Sequence, residues 1–316
     1  MSAPAHLIDR LGGRTVRVGT RASALARVQT ALVVGALGIE AEVVPIVTDG
    51  DRSSAALTQL GGTGVFVSAL RTALLAGEID IAVHSYKDLP TAAAAGIVIA
   101  AVPRREDARD ALVARDRLTL GELPTGARVG TGSPRRTAQL NALGLGLDVV
   151  AVRGNVDTRL GKVTAGELDA VVLASAGLHR LGRAAEITEL LDPIQMLPAP
   201  AQGALAVECR ADDQAVAQLL AGIDDADTRA AVTAERALLA ALEAGCSAPV
   251  GGLAEVAEGD DGGLEIFLRG SVTAIDGSDA VRLSATGSTT DADGVGRRLA
   301  ADLISAGADQ MIGSST

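Results

Sequence analysis

Arg135, Arg136 and Arg153 lie in two glycine-broken segments, Gly130-Thr-Gly-Ser-Pro-Arg-Arg136 and Val152-Arg-Gly-Asn-Val-Asp-Thr-Arg159, in a chain whose formal net charge is -11. Each segment follows a β-like run (residues 127–129 and 147–152) and leads into a helix-like one, so guanidinium forks and free helix N-terminal N–H groups would point into the same space. That combination binds carboxylate or phosphate. One arginine after a strand is usually a solvated side chain; three placed by the same strand-turn-helix logic argue for an anion site. A second constellation, His84-Ser-Tyr-Lys-Asp-Leu-Pro90, follows the β-like run 79–83 at the carboxyl edge where open α/β sheets place ligands. There Lys87 can pair with an anionic group, and Asp88 can hydrogen-bond an N–H and stabilise positive charge developing beside it. As a bare surface pair the two would contribute almost nothing. Of the two cysteines, Cys246 sits just past a helix-like run beside Gly245 and Pro249, an exposed setting, whereas Cys209 in Leu205-Ala-Val-Glu-Cys209 reads as a small buried hydrophobe.

The elements that must position these residues follow from periodicity. A β-like run at 15–19, a helix-like run at 23–37 with Ser23 as N-cap, and an alternating run at 41–47 make a βαβ unit. Residues 49–64 are polar and glycine-rich and read as a mobile loop over a site, ahead of a helix at 65–76. Strands are expected at 79–83 and 97–102. The charge cluster Arg104-Arg-Glu-Asp-Ala-Arg-Asp110 marks a boundary, after which the rhythm restarts: strand 127–130, helix 135–143, strand 147–152, helix 156–165, strand 170–174. A second α/β lobe is the economical reading. The proline-bearing stretch 196–202 then precedes a strand at 204–208 that could return to the first lobe, and two crossings describe a hinge with a cleft. Beyond, a helix at 227–244, strands at 264–269 and 281–285, and a helix at 291–306 form a smaller α+β domain. The expected domains are 14–103 with 203–222, then 104–202, then 223–316.

Composition excludes several classes. With 316 residues, 48% of them hydrophobic and 21% charged, the chain can bury more than one core and is not disordered. Its acidity and three aromatics (Phe66, Tyr86, Phe267) argue against nucleic acid, which needs cations and stacking platforms. The first dozen residues lack a signal-like apolar region, and the longest apolar stretch, 92–102, is too short to cross a bilayer. A cytoplasmic protein is expected, with a small anionic ligand, no membrane partner and no structural disulfide. Three scattered histidines and no Cys-x-x-Cys give no support to a metal site. Neither heptads nor a large apolar stripe call for more than a monomer.

Seven segments together resemble the porphobilinogen deaminase (hydroxymethylbilane synthase) family in order and spacing: Val18-Gly-Thr-Arg-Ala-Ser23, Val83-His-Ser-Tyr-Lys-Asp-Leu-Pro90, Arg105-Glu-Asp-Ala-Arg-Asp110, the two arginine segments above, Pro200-Ala-Gln-Gly-Ala204 and Gly245-Cys-Ser-Ala-Pro249. The resemblance spans roughly residues 15–307. It implies an α/β fold of two periplasmic-binding-protein-like lobes with a hinged cleft plus a smaller C-terminal α+β domain. It also implies a transferase that condenses four porphobilinogen molecules head to tail with loss of ammonia, then releases linear hydroxymethylbilane by hydrolysis, the growing chain being primed on a dipyrromethane cofactor.

The resemblance further implies that Cys246 is the cofactor's covalent anchor and that Lys87, Asp88, Ser133, Arg135, Arg136, Arg153 and Gly154 bind the cofactor. It implies that Arg21, Ser23, Phe66, Ser85, Arg159, Arg180 and Gln202 bind substrate, and that Asp88, Lys87 and Arg21 are catalytic. The chemistry is consistent, since each added ring brings two carboxylates that need Arg or Lys partners, and loss of ammonia leaves a cation spread onto a pyrrole nitrogen beside which a carboxylate lowers the barrier. Three positions depart from the family pattern: Thr63 where a loop lysine is common, with Arg52 a possible substitute; Gly132 where serine is common; and Ala244 where glycine is often found. Against this stand a non-catalytic two-lobed anion-binding protein, which leaves Cys246 unexplained, and a cysteine hydrolase, for which no histidine is suitably placed. Lys87 as a Schiff-base lysine lacks a phosphate cup.

Overall fold

The computed structural model describes residues 13–46, 64–243, 248–259 and 262–312. Strand β1 (Val16–Arg21), helix α1 (Ala24–Leu37) and strand β2 (Ala41–Ile46) form the expected βαβ unit, with β1 and β2 parallel and in continuous register. Ser23 starts the helix, its side chain accepting from the Ala26 N–H, which satisfies one of the donors a helix leaves open at its first turn. Helix α2 (Gly64–Leu75) leads to β3 (Ile81–Ser85), which ends in a 3₁₀ turn over Tyr86–Asp88, and β4 (Ile97–Ala101) follows. The sheet is completed from far along the chain: β10 (Leu205–Arg210) inserts antiparallel between β3 and β4, giving the order β2-β1-β3-β10-β4. Its core gathers Val16, Val18, Ile81, Val83, Val207 and Cys209 with Val216, Leu219 and Leu220 of α6 (Gln214–Ala221).

The second sheet repeats this plan. Strands β5 (Asp110–Ala114), β6 (Arg128–Thr131), β7 (Asp148–Ala151), β8 (Ala170–Ala174) and β9 (Glu189–Leu190) lie in the order β7-β6-β8-β5-β9, the first three parallel and β5 antiparallel to β8. Helices α3 (Pro134–Ala142), α4 (Val156–Thr164) and the short α5 (Ser175–Arg180) follow β6, β7 and β8. The remainder is an antiparallel meander of β11 (Val250–Glu258), β12 (Leu264–Thr273) and β13 (Ala280–Ser288), covered by α7 (Ala226–Ala241) and α8 (Ala292–Ser305) around a core that includes Leu238, Ile266, Leu268, Val295 and Leu299. A final short helix, α9, spans Asp309–Ile312.

The chain packs as two units, residues up to 105 with 204–229, and residues 106–203 with those from 230 onward. The meander therefore belongs to the same unit as the second sheet. Fully buried Glu235 of α7 joins them by accepting from the backbone N–H groups of Ala201 (2.5 Å) and Ala254 (2.7 Å), and the Gly252 N–H donates to the Pro198 carbonyl at 2.8 Å.

Strands β5, β9 and β11 and helices α5 and α6 are elements that periodicity did not indicate. In β5 every residue is buried, so Asp-Ala-Leu-Val-Ala shows no alternation and its leading aspartate merges with the charge cluster before it. Strand β11 opens Val-Gly-Gly, which reads as a turn, yet it pairs with β12 along all nine of its residues, the ladder prevailing over weak propensity.

Candidate functional site

In the first unit the expected residues gather along one edge. Strands β1 and β3 are parallel neighbours, with Val18 opposite Ile81 and Gly19 opposite Ala82, so Arg21 and the residues just past β3 share the carboxyl edge at the point where strand order reverses. This is where doubly wound sheets hold ligands. Arg21, Ser23, Ser85, Lys87 and Asp88 are all half-buried there, and Tyr86 is buried beneath the turn. The turn is fastened at two points: the Ser85 hydroxyl accepts from the amide of buried Gln29 on α1 (2.8 Å), and the Tyr86 N–H donates to the Ala204 carbonyl (3.0 Å). Gln29 is a contact that sequence reasoning missed, because a glutamine inside an apolar helix carries no motif. Phe66 lies in the first turn of α2.

Behind the turn is a buried charge cluster. Glu208 on β10 accepts from Arg71 of α2 through Nε (3.2 Å) and a terminal nitrogen (2.7 Å), and His84 Nε2 lies 3.2 Å from its other oxygen, within ion-pair reach although the angle falls short of a hydrogen bond. Burial pushes the Glu208 carboxyl up, but His84 and the Arg71 fork outweigh it and hold the group below the usual carboxylate range. Cys209, next along the strand, is fully buried, and desolvation pushes its thiol up to about 11, so it is an inert hydrophobe as expected.

In the second unit, β6 and β7 are parallel neighbours whose carboxyl ends carry the two glycine-broken segments. Ser133 caps α3 by accepting from the Arg136 N–H, and Asn155 caps α4 by accepting from the Thr158 N–H, so two helix N-termini open on the same sheet edge. Gly132 and Gly154 shape that edge. A Cβ on Gly132 would meet the Val152 carbonyl oxygen at 2.6 Å, and Gly154 sits at φ 108, where a side chain is strained.

Sequence reasoning has Arg135, Arg136 and Arg153 converging on an external anion. The structure shows a different use for two of them. Arg135 and Arg136 are 3% and 5% exposed, and both forks close on fully buried Asp110 at the start of β5: Arg135 at 2.7 Å on Oδ2, Arg136 at 2.7 and 3.0 Å on Oδ1. One terminal nitrogen of each donates to a carbonyl, Arg135 to Leu197 (2.6 Å) and Arg136 to Val172 (3.0 Å), and buried Gln202 donates to Asp110 at 2.7 Å. Burial raises the Asp110 carboxyl, but Arg135 and Arg136 hold it far below the ordinary range. One carboxylate thus answers two guanidinium charges, leaving the cluster net positive.

Arg153 and Arg159 remain open. Arg153 is exposed, Arg159 half-buried with its Nε donating to the Gly154 carbonyl (2.9 Å), and neither has a carboxylate partner among the described residues. Burial first, then the like charge of Arg136, weakens the hold of Arg159 on its proton, the condition of a cation in an under-neutralised field. Arg180 is half-buried and donates to the Gly203 carbonyl at 2.6 Å. This edge, with two helix N-termini, two open guanidinium groups and a glycine cradle, can hold carboxylates, which is what a dipyrromethane bearing acetate and propionate groups would require. Cys246, Thr63, Arg52 and Ala244 lie outside the described residues. Among the described residues no three His, Cys, Asp or Glu side chains gather as a metal ion would need, and no helix is long and apolar enough to cross a membrane.

Residues 16–218 match the family model described as "Porphobilinogen deaminase, dipyromethane cofactor binding domain", and residues 229–305 the one described as "Porphobilinogen deaminase, C-terminal domain". A porphobilinogen deaminase of Mycobacterium tuberculosis is 60% identical over 304 residues, covering 94% of this chain and 98% of its own. One of Nocardia farcinica is 60% identical over 307 residues, covering 95% of this chain and 88% of its own. Among solved structures, the methionine binding protein MetQ is 14% identical, covering 66% of this chain and 89% of its own at a TM-score of 0.41. The BvgS VFT2 domain of Bordetella pertussis is 15% identical, covering 70% and 91%, also at 0.41. These two likenesses carry no weight for ligand or activity. The two family models match in chain order and span both arginine segments and the Lys87-Asp88 turn, and the relatives align along nearly their whole length; the chain belongs to the porphobilinogen deaminase family.

Proposed function

We propose that the chain is a hydroxymethylbilane synthase that joins four porphobilinogen molecules head to tail, releasing one ammonia at each step, and frees the linear tetrapyrrole by hydrolysis. Family membership across the Lys87-Asp88 turn and both arginine segments is the observation that carries this reading. The dipyrromethane cofactor supplies the pyrrole α-carbon to which the first ring is added. Everything else is asked of this chain's side chains.

At the first sheet's edge, Asp88 accepts from the pyrrole N–H of the reacting ring and stabilises positive charge as ammonia departs, while Lys87 and Arg21 hold ring carboxylates and Ser23 and Ser85 contribute hydroxyls. At the second sheet's edge, Arg153, Arg159 and the N–H groups opening α3 and α4 hold carboxylates of the cofactor and growing chain. Ser133, Gly154, Arg180 and Gln202 line or brace that edge, and Phe66 contributes from α2. Arg135 and Arg136 act there as a charged floor fixed by Asp110. Cys246 anchors the cofactor through a thioether. The lobes are residues 14–103 with 203–222 and residues 104–202, and 223–316 form the cofactor-carrying domain. We place the protein in the cytoplasm as a monomer acting on porphobilinogen.

Intact mass is the test. The purified chain carries a covalent addition equal to two linked porphobilinogen units, Cys246→Ser abolishes it together with turnover, and Cys209→Ser keeps both. An adduct that persists in Cys246→Ser would overturn the anchor.

A further inference from the structure

We propose that Glu208 is a positioning residue for the condensation, fixing through His84 the end of β3 and hence the turn that carries Lys87 and Asp88. The inference rests on the reading of Asp88 as the group that meets the reacting ring.

The geometry is specific. Glu208 and His84 are 1% and 7% exposed and sit on adjacent antiparallel strands, Glu208 opposite Ala82 and Ala206 opposite His84, so the two side chains rise from the same face of the sheet. His84 is one residue before Ser85, whose hydroxyl is already held by Gln29, and two before Tyr86, whose N–H is held by Ala204. The strand end is therefore fixed from α1 and from the residue leading into β10, and the His84 contact adds a further restraint within the same three residues. Arg71 then ties Glu208 to α2, so one buried carboxylate links α2, β10 and the strand leading into the turn.

Stability alone does not call for this cluster. A buried ionic cluster is commonly no more stabilising than apolar residues of similar volume, and removing one member leaves an uncompensated charge. A carboxylate placed behind a reactive turn gives instead a fixed distance from sheet to turn. Catalytic groups lose rate steeply when displaced by about an ångström.

The test uses cofactor-loaded full-length protein carrying His84→Gln or Glu208→Gln, with Asp88→Asn as control. His84→Gln leaves the Arg71–Glu208 pair intact and so is expected to fold; should Glu208→Gln fail to fold, His84→Gln decides alone. The expected result is a fall in kcat of about tenfold or more with KM within about twofold and the mass of the loaded chain unchanged, and in His84→Gln, which keeps the Arg71–Glu208 pair, with melting temperature unchanged as well. The double variant should lose no more than the worse single one, because both act through one contact. Unchanged kcat in His84→Gln, a fall in kcat of His84→Gln matched by loss of its melting temperature, or losses that multiply in the double variant overturn the proposal. If Asp88→Asn itself retains turnover, the reading of Asp88 has failed; if Asp88→Asn is inactive while His84→Gln is fully active, only the positioning role has.

Discussion

Asp110 and Glu208 occupy matching places in the two five-stranded sheets, each on the antiparallel fourth strand, and they do different things because they stand at different heights. Asp110 pairs with Ala174, the last residue of β8, so it lies at the carboxyl edge and takes the helix-opening arginines directly. Glu208 pairs with Ala82, three residues short of the end of β3, or about 10 Å below the edge at the rise of a strand. It approaches the strand end before the Lys87-Asp88 turn through His84. The same plan thus yields a charged floor in one lobe and a braced strand in the other. On the proposed function, the first sheet positions the turn that reacts, and the second builds the edge that holds anions.

The largest effect expected from this contrast is on stability. Asp110→Asn leaves two almost fully buried guanidinium groups without their carboxylate, which typically costs about 3–5 kcal/mol. Glu208→Gln should cost less, because the Arg71 side chain keeps 16% of its surface exposed and can draw on water. Urea unfolding of the two variants measures the difference; equal losses would show that height in the sheet is irrelevant. The pH dependence has a definite sign. The folded state depresses the Asp110 carboxyl below its unfolded value of about 3.9, so its contribution is present above that value and is lost as pH falls through it toward the folded value. Acid should therefore erode the stability of the natural chain more steeply than that of Asp110→Asn, and parallel acid profiles would remove Asp110 from the account.

The next effect is kinetic and belongs to the other lobe. Asp88→Asn can still accept from a pyrrole N–H but cannot balance a developing cation, and loss of such a preorganised group costs about 2.7–4 kcal/mol, or roughly a hundred- to a thousandfold in rate. Single-turnover measurements should show that fall with fold and affinity retained. A drop of less than about tenfold would mean that the carboxylate charge is not what the first sheet supplies.

Much of this contrast was legible in the sequence, and the illegible part has a common cause. Both βαβ rhythms, the Ser23 cap, the buried Cys209 and the turn at Lys87-Asp88 follow from local pattern, because period, cap and turn chemistry act over a few residues. Asp110, Gln29 and Glu208 were not singled out, since each owes its role to a partner 25 to 137 positions away and looks, in sequence, like a loop aspartate, a helix glutamine and a strand glutamate. The same blindness made Arg135 and Arg136 look like open anion receptors. Their helix-opening positions were visible; the carboxylate that occupies them was not.

That distinction separates two arginine variants. Arg135→Leu strips Asp110 of one of its forks and leaves the Leu197 carbonyl with Gln139 in place of two donors, so it should lower stability as well as cofactor loading. Arg159→Leu removes a half-buried cation whose side chain, among the described residues, bonds the Gly154 carbonyl and no carboxylate, and its unfolding free energy should stay within about 0.5 kcal/mol of the natural chain. Retention of carboxylate-bearing rings should nonetheless weaken by about 1.5–3 kcal/mol, the usual worth of a hydrogen bond to a charged group. Mass spectra after exposure to porphobilinogen, read beside urea curves, separate the two. A stable, fully loaded Arg135→Leu protein would break the division between floor and receptor.

The smallest effect concerns Gly132, where the family commonly has serine. Restoring that serine adds a hydroxyl at the anion edge, but the edge in this chain is built around its absence. The Cβ would stand 2.6 Å from the Val152 carbonyl oxygen, a backbone atom that cannot swing aside, and the Val152 N–H is itself held at 3.0 Å by the Thr131 carbonyl, which ties β6 to β7 at that level. Admitting the side chain therefore means moving the carboxyl ends of both strands, and with them the caps of α3 and α4 and the approach of Arg159, whose terminal nitrogen is 3.9 Å from the same point. Gly132→Ser should cost about 1–3 kcal/mol of stability, the range for overfilling a packed site, and should hold carboxylates more weakly despite its added donor. Urea unfolding together with the yield of loaded chain tests both halves. A Gly132→Ser protein as stable as the natural one, and loaded at least as fully, would show that this edge yields where the structure makes it rigid.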